Sequence, residues 1–469
     1  MSIFDQPGAA LALLLGGLIA VQLLRKVEFG LAALGFGIAS ATPELLERRT
    51  GLPNITLPLA LVVAALAFRH RRWHGRVGPR QVGALGCAFL ALLIAEGCSV
   101  FVAADTDGVR GRFVDDLRSV VVMLAIAFSL TTVRQLRWLV HGAIAAGAVM
   151  GAAAVAQFAT GRTGELFFGL ASAPELGGFG TTDSARASGP MVSTNYFAQY
   201  LVVLTAIALE RSIRDPDRRL RRWSAVSACL MIPAILLTSS RGGLVGLAVV
   251  IVVGTAWLRA GRRLVVPAVL VALLAFALAP SGMAERLSAI GDVVGPHEAI
   301  ADNAVRGRLS EVRAAYEMFV DRPLFGVGVA NFDDRYPEYA DRLGLEDDPL
   351  GRSAHNLPLH FAAELGLVGL ALFAVLVGGA LRGLSRARRR ARSIDDHELA
   401  GLLQGIQLGL VGFLTTAMFL HLSHPQLFWL LVTLGWVAPQ IRAEPDPEPI
   451  PNPRESKSPV VVPFAPVRA

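Results

Sequence analysis

Long apolar runs separated by short polar loops dominate the pattern of this chain. A helix that crosses a bilayer needs about 20 mostly apolar residues, and runs of that order recur from one end of the sequence to the other. They lie near residues 9–24, 28–46, 55–68, 82–104, 117–132, 137–158, 191–209, 223–238, 241–258, 264–280, 356–381, 398–420 and 425–441. The pattern therefore predicts an all-α polytopic membrane protein with about 12 (12 to 13) transmembrane helices.

The charged residues indicate which way these segments cross. Arginines concentrate in four loops, at 69–76, 211–222, 259–263 and 382–392. If each apolar segment between them crosses the membrane once, all four loops lie on the same side. Basic loops stay in the cytoplasm, so the remaining loops are expected outside. These are 105–116, 159–190, 239–241, 281–355 and 421–424. The same count places the N-terminus outside, unless one of the first three segments is only half inserted and both ends lie inside.

Composition supports this class. The chain is 53% hydrophobic and 17% charged, with a net charge of +7 carried almost wholly by arginine. Such a surplus anchors loops to membrane lipids, whereas nucleic-acid binding would need a basic face with interleaved aromatics, which the sequence lacks. Residues 442–469 are rich in proline and charge and are expected to form a disordered cytoplasmic tail. Residues 1–441 are then one transmembrane domain.

The large hydrophilic insertion at 281–355 is predicted to contain an amphipathic helix. Asp302 or Asn303 can cap it, and Pro323 ends it at about Asp321. Apolar side chains recur on one face at helical spacing, at Val305, Leu309, Val312, Tyr316, Phe319 and Val320. We expect this helix to lie on the outer membrane surface. Its arginines either bind anions or extend to lipid phosphates. They are Arg306 and Arg313 on one flank and Arg308 on the other.

Polar groups beside the apolar spans are the candidates for chemistry. Arg241 stands in a very short break between two spans, where a charge marks a cavity or a function unless it is an ordinary interfacial turn. Arg186 precedes the span that contains Asn195, and it is alternatively an interfacial anchor. His355 ends the outer loop and is either a base near neutral pH or a capping residue.

Taken together, these side chains suggest a phosphate ligand. Arginine binds phosphate oxygens bidentately and keeps its charge. The sequence has no spacing of histidines and carboxylates that is typical of a metal site, so we expect no metal and no cofactor. A lipid-linked pyrophosphate at the outer membrane surface fits this combination.

The motifs resemble, in the same order, those of the O-antigen ligase and O-antigen polymerase superfamily of bacterial membrane glycosyltransferases. Arg186-Ala-Ser-Gly-Pro followed by Asn195 resembles its arginine-then-asparagine motif. The Ser-Arg-Gly sequence at Arg241 resembles its short turn between two spans. The resemblance covers roughly residues 150–380.

The outer loop carries the other two motifs. Arg308, followed by Pro-Leu-Phe-Gly-Val-Gly at 323–328 and Asn-Phe at 331–332, resembles the start of the superfamily's large loop. His355-Asn, nine residues, Gly366, two residues and a further glycine match the ligase pattern. Leu-Ala-Leu then stands where ligases tend to carry threonines, and Val312 stands where tryptophan is frequent. These departures leave ligase and polymerase both open.

The resemblance implies a GT-C-like fold and a metal-independent, inverting transfer of glycan from undecaprenyl pyrophosphate. It places the active site on the periplasmic side of the bacterial inner membrane. The acceptor is the lipid A core for a ligase. For a polymerase of O-antigen or exopolysaccharide it is another lipid-linked glycan, and for a protein O-oligosaccharyltransferase it is a protein. A small-solute or anion transporter is the alternative from another class.

On this chain the resemblance implies that Arg186, Arg241 and Arg308 hold the pyrophosphate, and that Arg306 can stand in for Arg308. His355 and Arg241 are the expected catalytic residues, with His355 acting on the acceptor hydroxyl. The supporting candidates are Asn195, Asn356 and Glu364.

Overall fold

The computed structural model describes residues 26–51, 54–73, 80–162, 167–172, 186–191, 193–258, 303–345, 352–420 and 426–442. Within these ranges the chain is largely helical and contains no strand, and an isolated β-bridge joins Thr132 to Arg442. The predicted spans at 9–24 and 264–280, the Arg306 side chain and nearly all of the predicted tail lie outside the described residues.

Most of the described α-helices cover predicted apolar segments, and α10 and α11 lie in the predicted outer loop. They are α1 Val27–Ser40, α2 Thr42–Thr50, α3 Thr56–Trp73, α4 Arg80–Cys98, α5 Thr106–Ser129, α6 Val133–Ala159, α7 Thr194–Arg214, α8 Arg218–Leu237, α9 Arg241–Leu258, α10 Asn303–Asp321, α11 Phe332–Leu343, α12 Leu357–Ser393, α13 His397–Thr416 and α14 Gln426–Val437. The outer-loop helix is α10, and its bounds agree with the prediction.

Length and composition identify which described helices can cross a membrane. Five qualify singly: α6, α8, α12, α13 and the segment Val82–Phe101, which contains most of α4. A sixth is the bent pair α1 and α2, which meet at 70°. The predicted segment at 28–46 is therefore bent, because Ala41 adopts a left-handed conformation (φ 48°) and a new helix begins at Thr42 with Pro43 in its first turn. The structure supports a polytopic helical protein, and the count of about 12 remains a prediction.

Helices α7 and α13 form the centre of the bundle. Nearly every side chain of α7 from Phe197 to Arg211 is buried, and so is almost all of α13. These two helices pack on each other, and α7 also packs on α8. A helix that is buried all round belongs to the interior of the protein rather than to the lipid boundary. Peripheral helices instead expose large apolar side chains, such as Ile94 and Val252, as expected for contact with lipid.

Polar contacts tie the helix ends into two groups. At one end, which we call the basic end, Arg137 pairs with Glu398, and His141 and Arg211 each lie 2.9 Å from Asp215. The other end, the loop end, carries α10 and α11.

The outer segment is attached to the bundle at a break inside α12. Gly366 has φ 63° and ψ −154°, so the helical hydrogen bonding stops there. The motif at 323–328 fills the gap. Val327 and Gly328 donate N–H groups to the carbonyls of Ala363 and Glu364, both at 2.9 Å. Those carbonyls would otherwise remain without partners at the end of a helix.

The same segment also accepts hydrogen bonds from the residues that follow the break. Leu367 donates its N–H to Pro323 O at 2.7 Å, and Val368 donates to Leu324 O at 3.4 Å. A Cβ added at Gly326 would lie 2.3 Å from the carbonyl carbon of Glu364. The two backbones therefore touch, and only glycine leaves room for this contact.

The outer segment has a small core of its own, above the main bundle. Ala314, Ala315 and Met318 of α10 are fully buried against Tyr336 of α11 and Ala363 of α12. On the predicted apolar face, Leu309, Tyr316 and Val320 are exposed. The face that packs on protein is thus the opposite one. The exposed face agrees with a helix lying on a membrane surface, which stays a prediction.

Asn331 connects the outer segment to the loop between α4 and α5 through hydrogen bonds. Its Oδ1 accepts the N–H groups of Ala104 and Asp105 at 2.7 and 2.6 Å, and its Nδ2 donates to Asp105 O at 3.0 Å. Ser99 Oγ accepts the N–H of Val329 at 3.1 Å. The motif from Pro323 to Asn331 is therefore held on two sides, by α12 and by residues 99–105.

We predict that Gly326→Ala destabilises the protein by several kcal/mol, because backbone strain of about 1–3 kcal/mol is added to a backbone clash. Gly344→Ala is the matched control: Gly344 has a similar φ of 62° but nothing within 4 Å of an added Cβ. Thermal unfolding in detergent measures both. If the two variants lose the same small amount of stability, the close backbone contact of Gly326 with the break in α12 does not stabilise the fold.

Candidate functional site

The α8–α9 hairpin carries the first group of predicted site residues. Helix α8 ends at Leu237 and α9 begins at Arg241. Arg186 is bound to the turn between them, with its Nε donating to Thr238 O at 3.0 Å, and Ala187 N donates to Leu237 O at the same distance. A residue 55 positions before Arg241 in the sequence is thus brought to the same turn.

Asn195 holds the turn from the other side. Ser240 Oγ donates to Asn195 Oδ1 at 2.7 Å and accepts the N–H of Gly243 at 3.3 Å. Ser239 has a φ of 51°, which is uncommon for a serine and indicates a constrained turn. We call Arg186, Asn195 and residues 238–241 the hairpin cluster. Asn195 supports this cluster by positioning the turn.

The second group, which we call the loop cluster, consists of Arg308, Glu311, Arg352 and His355. Glu311 uses both of its carboxylate oxygens. Its Oε2 lies 3.1 Å from His355 Nε2 and its Oε1 lies 3.3 Å from Arg352 Nη1. The Glu311 side chain is 6% exposed and Arg352 is 10% exposed, whereas His355 keeps 26% of its surface. The imidazole is therefore more accessible than the side chains of Glu311 and Arg352.

Burial and neighbouring charges determine the protonation of this cluster. Burial raises the pKa of Glu311 to about 7, against the opposing effect of the Arg352 and Arg308 charges. Burial, together with the positive charges of Arg308 and Arg352, lowers the pKa of His355 to about 4. At neutral pH the imidazole is neutral, which is the form that can accept a proton.

Local backbone structure fixes His355 in place. Its φ is 43°, in the left-handed region that non-glycine residues seldom adopt. The next residue, Asn356, caps α12 by accepting the N–H of Leu359 at 3.0 Å, and its Nδ2 donates to Met418 O at 3.3 Å. Asn356 thus has a structural role, since it fixes the start of α12 against the end of α13.

The end of α13 lies between the two clusters. On one side, Leu357 N donates to Ala417 O at 2.9 Å, just after His355. On the other side, a Cβ added at Gly242, next to Arg241, would lie 3.3 Å from Phe419 Cβ. Both clusters therefore border residues 417–419 at the loop end. The structure unites Arg186 with the Arg241 turn and places Arg308 with His355.

Glu364 supports the fold rather than reaching the clusters. Its side chain is 5% exposed, its Oε2 lies 3.2 Å from His360 Nε2, and its Oε1 accepts the N–H of Phe332 at 3.4 Å. It joins α11 to α12 beside the break at Gly366. We therefore assign it to the packing of the outer segment.

Sequence analysis missed Glu311 and Arg352. Glu311 lies three, four and seven positions before Ala314, Ala315 and Met318, but only the structure shows that this face of α10 is the buried one. That spacing puts a carboxylate on the buried face of an amphipathic helix. Arg352 gave no local signal either, since it lies in an irregular segment and its partners come from α10 and α11. Its guanidinium lies 5.1 Å from the ring centroid of Tyr336.

A cavity of about 580 Å³ lies at the basic end, away from both clusters. Charged side chains that line it already bind other groups. Arg137 pairs with Glu398, and Asp217 and Asp396 accept N–H groups at the starts of α8 and α13. This cavity reflects helix-end packing, and it gathers none of the predicted site residues.

The fold and the two arginine clusters define a polytopic helical membrane protein with a basic site at one end of its bundle. Residues 226–374 match the family described as O-antigen ligase. This segment contains α9, α10, α11 and the break in α12, so the resemblance to the O-antigen ligase superfamily is confirmed there. No curated protein matches the chain.

We predict that Asn195→Ala costs about 1–3 kcal/mol of stability, because Ser240 Oγ is buried and would lose its acceptor. The double variant Asn195→Ala with Ser240→Ala should cost less than the sum of the two single variants. Thermal unfolding of all three variants measures the coupling. Strictly additive losses would show that this hydrogen bond does not hold the turn.

Proposed function

We propose that the protein is a membrane glycosyltransferase of the O-antigen ligase type. It transfers a glycan from an undecaprenyl pyrophosphate donor to a lipid A core or similar acceptor, at the periplasmic face of the bacterial inner membrane. The observation that carries this proposal is that Leu357, two residues after His355, and Gly242, next to Arg241, both contact residues 417–419. One cluster contains an accessible neutral imidazole.

The arginines supply the electrostatics of the proposed reaction. Arg186 and Arg241 from the hairpin cluster and Arg308 from the loop cluster bind the pyrophosphate, with Arg306 as a further candidate. Charge builds up on the leaving pyrophosphate as the glycosidic bond breaks, and fixed guanidinium groups stabilise that charge. The proposed reaction therefore uses no metal ion and no other cofactor.

His355 acts on the acceptor in this proposal. The acceptor hydroxyl gives its proton to the imidazole while its oxygen forms a bond to the anomeric carbon of the donor sugar. The bond from that carbon to the phosphate oxygen breaks, and the pyrophosphate leaves with the electron pair. Attack from the face opposite the leaving group inverts the anomeric configuration.

The basic end supports the proposed orientation. Arg214 and Arg392 each donate to Gln404, at 3.1 and 2.8 Å, and the arginine-rich end of α12 also lies there. Arginine-rich helix ends are typical of the cytoplasmic side. The loop end, with both clusters, then faces the periplasm.

A transporter is the second candidate, because α12 is broken and because Glu96 and Asp116 are buried within the bundle. Broken helices in transporters present free backbone groups to a substrate. Here residues 323–328 already bind the carbonyls and N–H groups beside Gly366. That observation favours the transferase. Polymerase and protein glycosyltransferase activities use the same donor chemistry and differ in the acceptor.

We predict that Arg241→Ala and His355→Ala each lower glycan transfer by roughly 10²–10³-fold, the size of effect seen when a group stabilising transition-state charge is lost. The assay uses purified protein in liposomes with an undecaprenyl pyrophosphate-linked glycan and several acceptors. Preference among lipid, glycan and protein acceptors separates the three transferase activities.

Arg110→Ala is the matched control, since Arg110 lies in the first turns of α5, is 74% exposed and pairs with the exposed Asp107. It should retain the wild-type rate. If folded Arg241→Ala and His355→Ala proteins also retain it, the proposed site is wrong. Glycan-independent flux of small anions through the same liposomes would favour the transporter.

A further inference from the structure

Two large apolar side chains are exposed where α10 passes into the motif at 323–328. Leu324 is 58% exposed and Phe325 is 60% exposed, and we call this pair the apolar tip. Helix α10 leads to the tip with an exposed apolar stripe of its own, at Leu309, Tyr316 and Val320. Exposed apolar groups that adjoin one another mark an interaction surface.

We propose that the apolar tip inserts into the hydrocarbon of the bilayer leaflet at the loop end. The motif at 323–328, which belongs to the hydrophilic insertion by sequence, then enters the membrane as a wedge against α12. The partner of this surface is the lipid bilayer and not a second protein. The inference goes beyond the proposed function and does not depend on it.

The end of the α4 span places the tip at the edge of the hydrocarbon. The candidate span Val82–Phe101 has 20 residues, which corresponds to about 30 Å of helix and matches the thickness of a bilayer core. Arg322 Nη1 donates to Val102 O at 3.1 Å. The residue before Pro323 therefore contacts the residue that follows this span.

Helix α12 indicates the same depth. After the break at Gly366 its uncharged part runs from Leu367 to Leu381, and Arg382 follows. That part spans about 22 Å, whereas the hydrocarbon is about 30 Å thick, so the break lies at or inside the hydrocarbon edge. A Cβ added at Gly366 would lie 2.4 Å from the carbonyl carbon of Leu324. The tip is thus at the level of the break.

The tip also continues the lipid-facing side of α12. Leu367, Val368 and Val375 are exposed large apolar residues, and their spacing of seven to eight positions puts them on one face of the helix. Val368 donates its N–H to Leu324 O at 3.4 Å, which joins the tip to this face. The same lipid that covers the exposed face of a spanning helix therefore reaches Leu324.

The backbone of the motif meets the condition that hydrocarbon imposes. Irregular backbone is tolerated at membrane depth only where its polar groups have partners. Gly326 N donates to Arg322 O at 3.0 Å, and the N–H groups of Val327 and Gly328 donate to carbonyls of α12. Pro323 has no N–H that needs a partner. The segment can therefore enter hydrocarbon with these groups satisfied.

The charges beside the tip suit a membrane boundary. Arg322 is exposed directly before the motif, and an arginine at this level can extend its side chain to lipid phosphates. The nearest carboxylates along α10 are those of Glu317 and Asp321, and both pair with Arg342, at 4.0 and 2.7 Å. Positive charge thus borders the tip, while the neighbouring negative charges are paired within the protein.

Spin-label accessibility measures the environment of the tip directly. In the full-length protein the three exposed cysteines, Cys87, Cys98 and Cys229, are first replaced by serine. Leu324→Cys or Phe325→Cys is then introduced, labelled with a nitroxide and placed in nanodiscs of phosphatidylethanolamine and phosphatidylglycerol. Collisions of the label with oxygen, which concentrates in hydrocarbon, are compared with collisions with a water-soluble nickel chelate.

Val252→Cys and Glu338→Cys are the matched references, because Val252 on α9 is 66% exposed and the Glu338 side chain on α11 is 65% exposed. Val252 reports a lipid-facing position and Glu338 reports an aqueous one. Labels at both tip positions should show frequent oxygen collisions, as at Val252. Their nickel collision rates should be several-fold lower than the rate at Glu338.

Two results would overturn the proposal. Nickel collision rates at the tip equal to the rate at Glu338 would show that the tip lies in water. Low collision rates with both reagents would show that protein, such as a second copy of the chain, covers it. No substrate enters this measurement, so its outcome is independent of the glycan-transfer assay, and either proposal can fail without the other.

Discussion

The backbone pairing between residues 323–328 and the break in α12 is the interaction on which the loop end depends. A helix interrupted beside lipid leaves carbonyl and N–H groups that cost several kcal/mol each when they lack partners. Here Val327 and Gly328 bind the carbonyls before Gly366, and Pro323 and Leu324 accept from the N–H groups after it. The interruption is thus stabilised by a segment that lies about forty positions earlier in the sequence. That segment is in turn connected directly to α10.

This pairing explains how a polar loop becomes part of a rigid site. Helix α10 packs through Ala314 and Met318 on the small core that also contains Ala363 of α12. Arg308 and Glu311 therefore keep a fixed relation to His355, which precedes α12. Asn331 joins the same segment to residues 104 and 105. A site that gathers charged groups needs this rigidity, because like charges at close range would otherwise separate.

The hairpin cluster is positioned by independent contacts. Arg186 and Asn195 both bind the 238–240 turn, through Thr238 O and Ser240 Oγ. The residues after α13 contact Gly242, next to Arg241, on one side and Asn356, next to His355, on the other. Two separately built groups of basic side chains thus share one border. The catalytic roles assigned to these residues remain a proposal.

The sequence alone determined the class of protein, the positions of most helices and the identity of the basic residues, because apolar runs of bilayer length and arginine-rich loops are local features. The bounds of α10 were also predictable, since its start and its proline stop are encoded within a few residues. Tertiary structure decided the rest. Which face of α10 is buried, how the break at Gly366 is filled and which carboxylate meets His355 all depend on contacts between distant residues. Glu311 and Arg352 belong to the site only because α10 packs beside the start of α12, and no local pattern records that packing.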